Sequence, residues 1–334
     1  MSAEQKTVMR KDEIRLQNVL FCIFVVLIHL FPQEILVHEA AFLIQRPLFC
    51  AIFGFMFLSG LKGGLAPYRG EWLSYYCRRF TKILIPYVIS VVIYWLLHGL
   101  LGKHNFDIIR LLWAFVTGKE EAHFYFVIAL SELYLLFPLL RRLTDRVSGG
   151  IVLPIAFVLT LLSSVFLCGY DFYPGLFLRY LFCYLLGLYA GKHYEAFCKK
   201  LKNWTFFLFI LYALFLGAEL AAANLWHFYD IAFPLQQEIT LFYMPIAVLS
   251  FYRISLFLVE HTRLSHQAWV LAIDRNSYYI YLIHILIITL AGWLLSFGGI
   301  KESVLYATLR TVITLCALSV WLALDAVILR LKKR

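Results

Sequence analysis

The sequence predicts an all-α, polytopic integral membrane protein with about ten transmembrane helices and both termini cytoplasmic. Three observations carry that prediction. Apolar runs of about the 17–25 residues needed to cross a bilayer recur from one end of the 334 residues to the other. The composition is 62% hydrophobic and 15% charged, with a mean hydropathy of +0.79, whereas soluble domains are roughly 45–50% apolar and about 25% charged. The basic residues also alternate in sidedness. With the N-terminus inside, only Arg46, Lys103, Arg110, Lys119, Arg179, Lys301 and Arg310 fall outside, and the other 23 of the 30 Lys and Arg fall inside. That split follows the positive-inside rule. The net charge of +10 is therefore a topology signal, and nucleic acid is excluded as its reason.

The spans are placed near 15–33, 44–61, 83–101, 124–140, 150–168, 176–191, 204–223, 239–258, 276–296 and 304–329. Residues 1–14, charged on both signs and followed by no small-residue cleavage site, are expected to be a cytoplasmic segment before an uncleaved first span. Phe106–Thr117 is apolar but too short to cross, which predicts a re-entrant piece or a helix along the outer interface. Residues 330–334 form a cytoplasmic basic tail. Short loops and the lack of a Pro/Ser-rich linker predict one membrane domain over 1–334. The sequon Asn203-Trp204-Thr205 falls on the cytoplasmic side and is discounted. The seven cysteines are scattered in apolar runs with no metal-ligand spacing, so no metal is expected.

Inside this frame, ionisable residues at membrane depth mark candidate sites. His29 lies well within the first span. Asn18, eleven residues earlier and close to three turns away, shares its face, and Arg15 is about 40° around. The face reads Arg15, Asn18, Cys22, Val25, His29: a polar cytoplasmic mouth and a path to a base, or alternatively a helix surface hydrogen-bonded for packing. Ser59-Gly60 ends span 2, where close helix approach competes with anion binding. Arg78, Arg79 and Lys82 open span 3, either as phosphate ligands or as lipid anchors. His123 sits at the outer mouth of span 4 and Glu132 near its middle. Arg179 lies near the outer end of span 6. Tyr278, Tyr281 and His284 make one stripe in span 9, with His284 near the depth of His29.

Together these segments resemble the membrane-integrated acyltransferase family of the acyltransferase-3 type. The resemblance rests on Val25-Val26-Leu27-Ile28-His29, Phe57-Leu58-Ser59-Gly60, Arg78-Arg79 with Pro86-Tyr87, Tyr134-Leu135-Leu136-Phe137-Pro138, Phe182 to Gly187, and Ser277-Tyr278 with Tyr281-Leu282-Ile283-His284. It implies an enzyme that moves an acyl group, usually acetyl from cytoplasmic acetyl-CoA, to a hydroxyl of a cell-surface or lipid-linked glycan. The enzyme would be an O-acetyltransferase of the bacterial cytoplasmic membrane. The family's essential histidine falls on His29 and its basic cluster on Arg78, Arg79 and Lys82. Where the family carries an arginine eleven residues before the histidine, this chain has Asn18, and Arg15 is the nearest substitute.

The catalytic set is then read as His29 with Glu132 or His284 orienting or relaying. The acyl-CoA set is Arg15, Asn18, Ser59, Arg78, Arg79 and Lys82, and the acceptor set is His123, Arg179 and Tyr281, with Tyr170, Phe172, Tyr173 and Trp226 as outer aromatics. Expected partners are acyl-CoA, the glycan acceptor, the lipid bilayer, and a second copy or other envelope-biosynthesis proteins. A transporter or flippase of a lipid-linked glycan is the rival, with its intramembrane His and Glu carrying protons, although no internal repeat is visible. A degenerate, non-catalytic membrane domain is the third reading, raised by Asn18.

Overall fold

The computed structural model describes residues 11–31, 39–67, 71–103, 105–231, 233, 235–300 and 304–331. Lys6, Arg10, Arg69, Lys301, Lys332, Lys333 and Arg334 of the charge pattern lie outside the described residues, as do most of the N-terminal segment and of the basic tail. Among the described residues every regular element is helical. The helices are α1 (Asp12–Leu30), α2 (Glu39–Gln45), α3 (Cys50–Leu65), α4 (Trp72–Leu100), α5 (Ile108–Thr117), α6 (Tyr125–Arg146), α7 (Gly149–Leu167), α8 (Leu181–Lys192), α9 (Tyr194–Asn203), α10 (Thr205–Tyr229), α11 (Gln236–His261), α12 (Ala268–Phe297) and α13 (Val304–Leu331). Nine helical stretches among the described residues are long and apolar enough to cross a membrane. The chain is a multi-pass membrane protein.

The contacts divide the chain into two compact units, Met1–Ile52 with Leu201–Arg334 and Phe53–Lys200. In the first unit α1 packs against both α11 and α12, while α10 pairs with α11 and α13 with α12. Consequently 61% of the most apolar window of α1 is buried, against 11% in α13. A helix enclosed by protein can carry polar groups that a lipid-facing one cannot, and α1 buries Gln17 and Asn18.

In the second unit α4 packs on α5 and α6, and α7 on α8. Over 176–191 the sequence places a span, and the structure builds that segment from two pieces rather than one continuous helix. A 3-10 turn, Phe177–Tyr180, leads into α8, which has 12 residues, about 18 Å of rise against a ~30 Å core. The reason is burial. Leu181, Cys183, Tyr184, Leu185, Gly187, Leu188, Tyr189, Ala190 and Gly191 are all buried, so α8 is apolar on every side because protein surrounds it. Such a helix need not match the lipid thickness, and irregular backbone before it is tolerated where protein covers it.

The close neighbour of α8 is α3. Gly60 and Gly64 of α3 face Gly187 and Gly191 of α8: a Cβ on Gly60 would lie 2.0 Å from the Tyr184 carbonyl oxygen, and one on Gly187 2.1 Å from that of Phe57. Both helices thus use a glycine every fourth residue to let their backbones meet. Here the Ser59-Gly60 element packs helices, as close approach requires.

The short apolar segment 106–117 forms α5. Asp107 caps its start by accepting from the Ile109 N–H at 2.8 Å, and Gly118 ends it in the left-handed region at φ 68°. Ile108, Ile109, Leu112, Trp113 and Val116 form an exposed apolar stripe at helical spacing, the pattern of a helix lying along a membrane interface.

Candidate functional site

In the first unit α1 and α12 run parallel, and their polar side chains meet in register. Asn18 donates its amide to Asp274 Oδ1 at 2.8 Å and to Ser277 Oγ at 2.9 Å. Cys22 Sγ reaches the Ser277 carbonyl at 3.9 Å. Farther along both helices, the imidazoles of His29 and His284 lie 5.1 Å apart between ring centroids. Eleven residues on α1 and about ten on α12 separate the two contacts, which is nearly the same rise along both helices. The similar depth expected of the two histidines is thus realised as a ring contact.

His284 is fully buried, and its Nδ1 lies 2.7 Å from the Tyr281 carbonyl oxygen and 3.1 Å from that of Ile280. Carbonyls only accept, so Nδ1 carries a proton and the tautomer is set by the backbone of α12. Tyr281 is itself buried, with its ring 6.0 Å from that of His284. Tyr281 therefore acts on His284 through its carbonyl as well as its ring.

At the Asp12 end of α1, Arg15 Nη1 donates to Asp12 at 2.6 Å and to the Ser265 carbonyl at 3.1 Å, and its Nε lies 3.8 Å from Asp274 Oδ2. Asp274 is a buried carboxylate served by an amide from residue 18 and a guanidinium from residue 15. The path that spacing suggests from Arg15 to His29 is accordingly a packed, hydrogen-bonded seam with α12. Asp274 is inconspicuous in the sequence because it stands next to Arg275, just before a span placed from 276, whereas α12 begins eight residues earlier.

Glu219 is a further functional candidate that the sequence reading misses, although an isolated carboxylate inside the apolar run of α10 is itself a signal. It is fully buried and held by Arg46, whose Nε and Nη2 both lie 2.9 Å from Oε1, and by the Thr240 hydroxyl at 2.7 Å from Oε2.

In the second unit the basic cluster on α4 separates by exposure. Arg78 and Lys82 are exposed, and Arg78 Nε turns back to the Ser74 carbonyl at 3.1 Å. Arg79 instead lies over the rings of Tyr134 at 5.2 Å and Tyr75 at 5.8 Å. Ser59 donates to the Tyr134 hydroxyl at 2.9 Å. The Tyr184 hydroxyl, fully buried, has no hydrogen-bond partner among the described residues. One guanidinium set against Tyr75 and Tyr134, with Ser59 bonded to the Tyr134 hydroxyl, is suited to hold an anionic or strongly polar group.

Near the start of α6, Glu132 Oε2 accepts the Phe177 N–H at 2.8 Å. Glu132 lines a cavity of about 560 Å³ together with Glu121, Asp171, Lys119, Tyr125 and Phe172, a volume in the range of small-molecule sites. Burial pushes the Glu121 carboxyl above its ordinary value, with Lys103 opposing and Glu120 adding to the rise. His123 is buried with its ring 4.4 Å from that of Phe124. Arg179 lies among the rings of Tyr173, Tyr180 and Phe53. Neither is part of the described cavity wall. Tyr170 and Phe172 stack at 5.4 Å, exposed, and Trp226 is exposed on α10. Among the described residues no cluster of three His, Cys, Asp or Glu could hold a metal ion.

A family model described as an acyltransferase domain matches residues 18–327, nearly the whole chain. No curated protein and no solved structure matches it. The matched range includes His29, Asp274 and His284 on their two seamed helices and every span but part of the first and last. This multi-pass membrane protein belongs to the acyltransferase-3 family of acyltransferases.

Proposed function

We propose that the protein is a membrane-bound O-acyltransferase of the bacterial cytoplasmic membrane, moving an acetyl group from cytoplasmic acetyl-CoA to a hydroxyl of a cell-surface or lipid-linked glycan. The observation that carries this reading is the contact of His29 with His284, two imidazoles inside membrane-spanning helices of a chain whose family transfers acyl groups. Histidine is the usual group for taking a proton from an attacking hydroxyl. His29 accepts the acceptor's hydroxyl proton, the oxygen bonds to the thioester carbonyl carbon, and the carbon–sulfur bond breaks. The proton held on His29 then passes to the CoA thiolate. In the covalent variant His29 nitrogen bonds to the acyl carbon first, releases CoA, and yields the acyl group to the glycan hydroxyl. His284, with its tautomer set by Tyr281, orients His29 or relays its proton.

Arg79 with its tyrosines would take a phosphate of the donor, and exposed Arg78 and Lys82 would draw the polyanion toward it. The cavity holding Glu132, Tyr125 and Phe172 fits a sugar ring better than a phosphate, because carboxylates accept hydroxyl protons and repel anions.

The test compares O-acetylation of surface glycans in cells carrying wild-type protein, His29→Gln or no protein. Loss of acetylation in the variant, at equal membrane levels, supports the reading. Acetylation equal to wild type removes it. Translocation of a lipid-linked glycan without acyl transfer would favour the flippase.

A further inference from the structure

We propose that the ion pair of buried Glu219 with partly exposed Arg46 is a positioning device for His29, acting through Gln45. Helix α1 ends at Leu30, so the carbonyl of Ile28 is one of the last four that have no partner within the helix. Gln45, itself buried, supplies one: its side-chain amide donates to the Ile28 carbonyl oxygen at 2.8 Å. Ile28 is the residue immediately before His29, and the bond therefore fixes the last turn of α1 from which the imidazole projects.

Gln45 is in turn held by its C-terminal neighbours. Arg46 opens the 3-10 turn Arg46–Phe49, which packs against α1. Arg46 is locked by two nitrogens onto Glu219 Oε1, each at 2.9 Å. Glu219 is held on its other oxygen by Thr240 of α11, and the Pro47 carbonyl accepts from the Tyr243 hydroxyl at 3.3 Å. The Gln45 backbone is thus tied to α10 and α11, and its side chain to the histidine end of α1. All of these residues belong to the same compact unit.

An ion pair with a buried carboxylate contributes little to stability compared with apolar side chains of similar size, while it fixes direction through two nitrogens at once. Reacting groups displaced by about 1 Å lose on the order of a hundredfold in rate, so an anchor one residue from the base has a catalytic effect without touching substrate.

The inference rests on His29 as the reacting group, and two readouts keep the two ideas apart. The first is steady-state CoA release with acetyl-CoA and the host's surface glycan by full-length protein in lipid nanodiscs. Gln45→Leu and Glu219→Gln are expected to lower kcat by about tenfold to a hundredfold, with KM for acetyl-CoA unchanged. Gln45→Leu, which breaks no buried charge pair, is expected to melt within a few degrees of wild type. The second readout is the imidazole NMR signal of isotope-labelled His29, assigned by its loss in His29→Gln, which is expected to shift or broaden in both variants. An unchanged His29 signal and unchanged kcat in a folded Gln45→Leu overturn the proposal. If wild type releases no CoA, the functional reading fails, and the His29 signal alone decides whether the anchor exists.

Discussion

Asn18 on α1 donates its side-chain amide to the buried carboxylate of Asp274 on α12 at 2.8 Å, and this contact defines how the two histidine-bearing helices meet. The same carboxylate has Arg15 Nε at 3.8 Å, so one acidic group on α12 is shared by two residues of α1 a turn apart. At this carboxylate the chain uses two side chains of α1. The Asn18 amide provides the short hydrogen bond, and Arg15 provides the charge.

Asn18→Leu leaves Asp274 buried without its closest donor. The expected loss is about 1–3 kcal/mol of stability, read as a lower Tm of the purified protein. The double variant Asn18→Leu/Asp274→Leu is expected to recover part of it, because removing both partners of a buried polar contact costs less than removing one. Additive losses in the double variant would show that the contact is not made.

Packing of α3 against α8 leads to a sharper contrast between glycines. Gly60→Ala and Gly187→Ala each force a methyl onto a carbonyl oxygen of the facing helix, and each is expected to cost at least the roughly 1–3 kcal/mol typical of overpacking. Gly217→Ala on α10, where a Cβ meets nothing within 4 Å, is expected to be neutral or stabilising by up to about 1 kcal/mol. Equal melting temperatures for the three variants would contradict the close approach.

Arg79 and Arg78 are neighbours in sequence with different surroundings, and their variants should differ accordingly. Arg79→Ala is expected to raise KM for acetyl-CoA about tenfold or more, the scale of one charge-assisted phosphate contact. Arg78→Ala and Lys82→Ala, both exposed, are expected to change it by about threefold or less and only at low salt. A larger effect from Arg78→Ala would place the donor on the exposed face of α4.

The Glu121 carboxyl titrates above its ordinary value because burial disfavours its charge. The folded state then binds a proton over a range in which the unfolded state has lost it, so stability falls as pH rises from the ordinary glutamate value through the raised one. Above that window the loss is constant. Glu121→Gln is expected to raise Tm at neutral pH and to flatten this part of the profile, which melts recorded from about pH 4 to about pH 8 will check. A Tm lowered by the substitution at neutral pH would mean that the charge is favourably paired.

Much of the fold is legible in the sequence because hydropathy reports directly on which helices lipid can surround. At 176–191 it finds the segment but not the 3-10 turn that opens it, because the apolar character of α8 reflects enclosure by protein and so says nothing about the length of the continuous helix. For the site, spacing along single helices is informative: His29 and His284 share a depth, and Arg15 and Asn18 share the His29 face. Partners from other helices are not readable. Nothing local in the sequence announces that Asp274 faces Asn18, or that Glu219 is matched by Arg46, since those contacts are made by packing of segments 173 to 256 residues apart. The split within the basic cluster is equally hidden, because charge alone does not reveal that Arg79 turns toward Tyr134 while Arg78 stays exposed.

The central claim is that His29 carries the acyl transfer. It is tested most directly by measuring CoA release from acetyl-CoA in the presence of the host's surface glycan, with purified wild-type and His29→Gln protein in nanodiscs. The account predicts glycan-dependent release by wild type and a fall of at least about 100-fold in the variant, the lower end of what a proton-transferring side chain contributes, with the variant folded and inserted. Release by His29→Gln at the wild-type rate would contradict it.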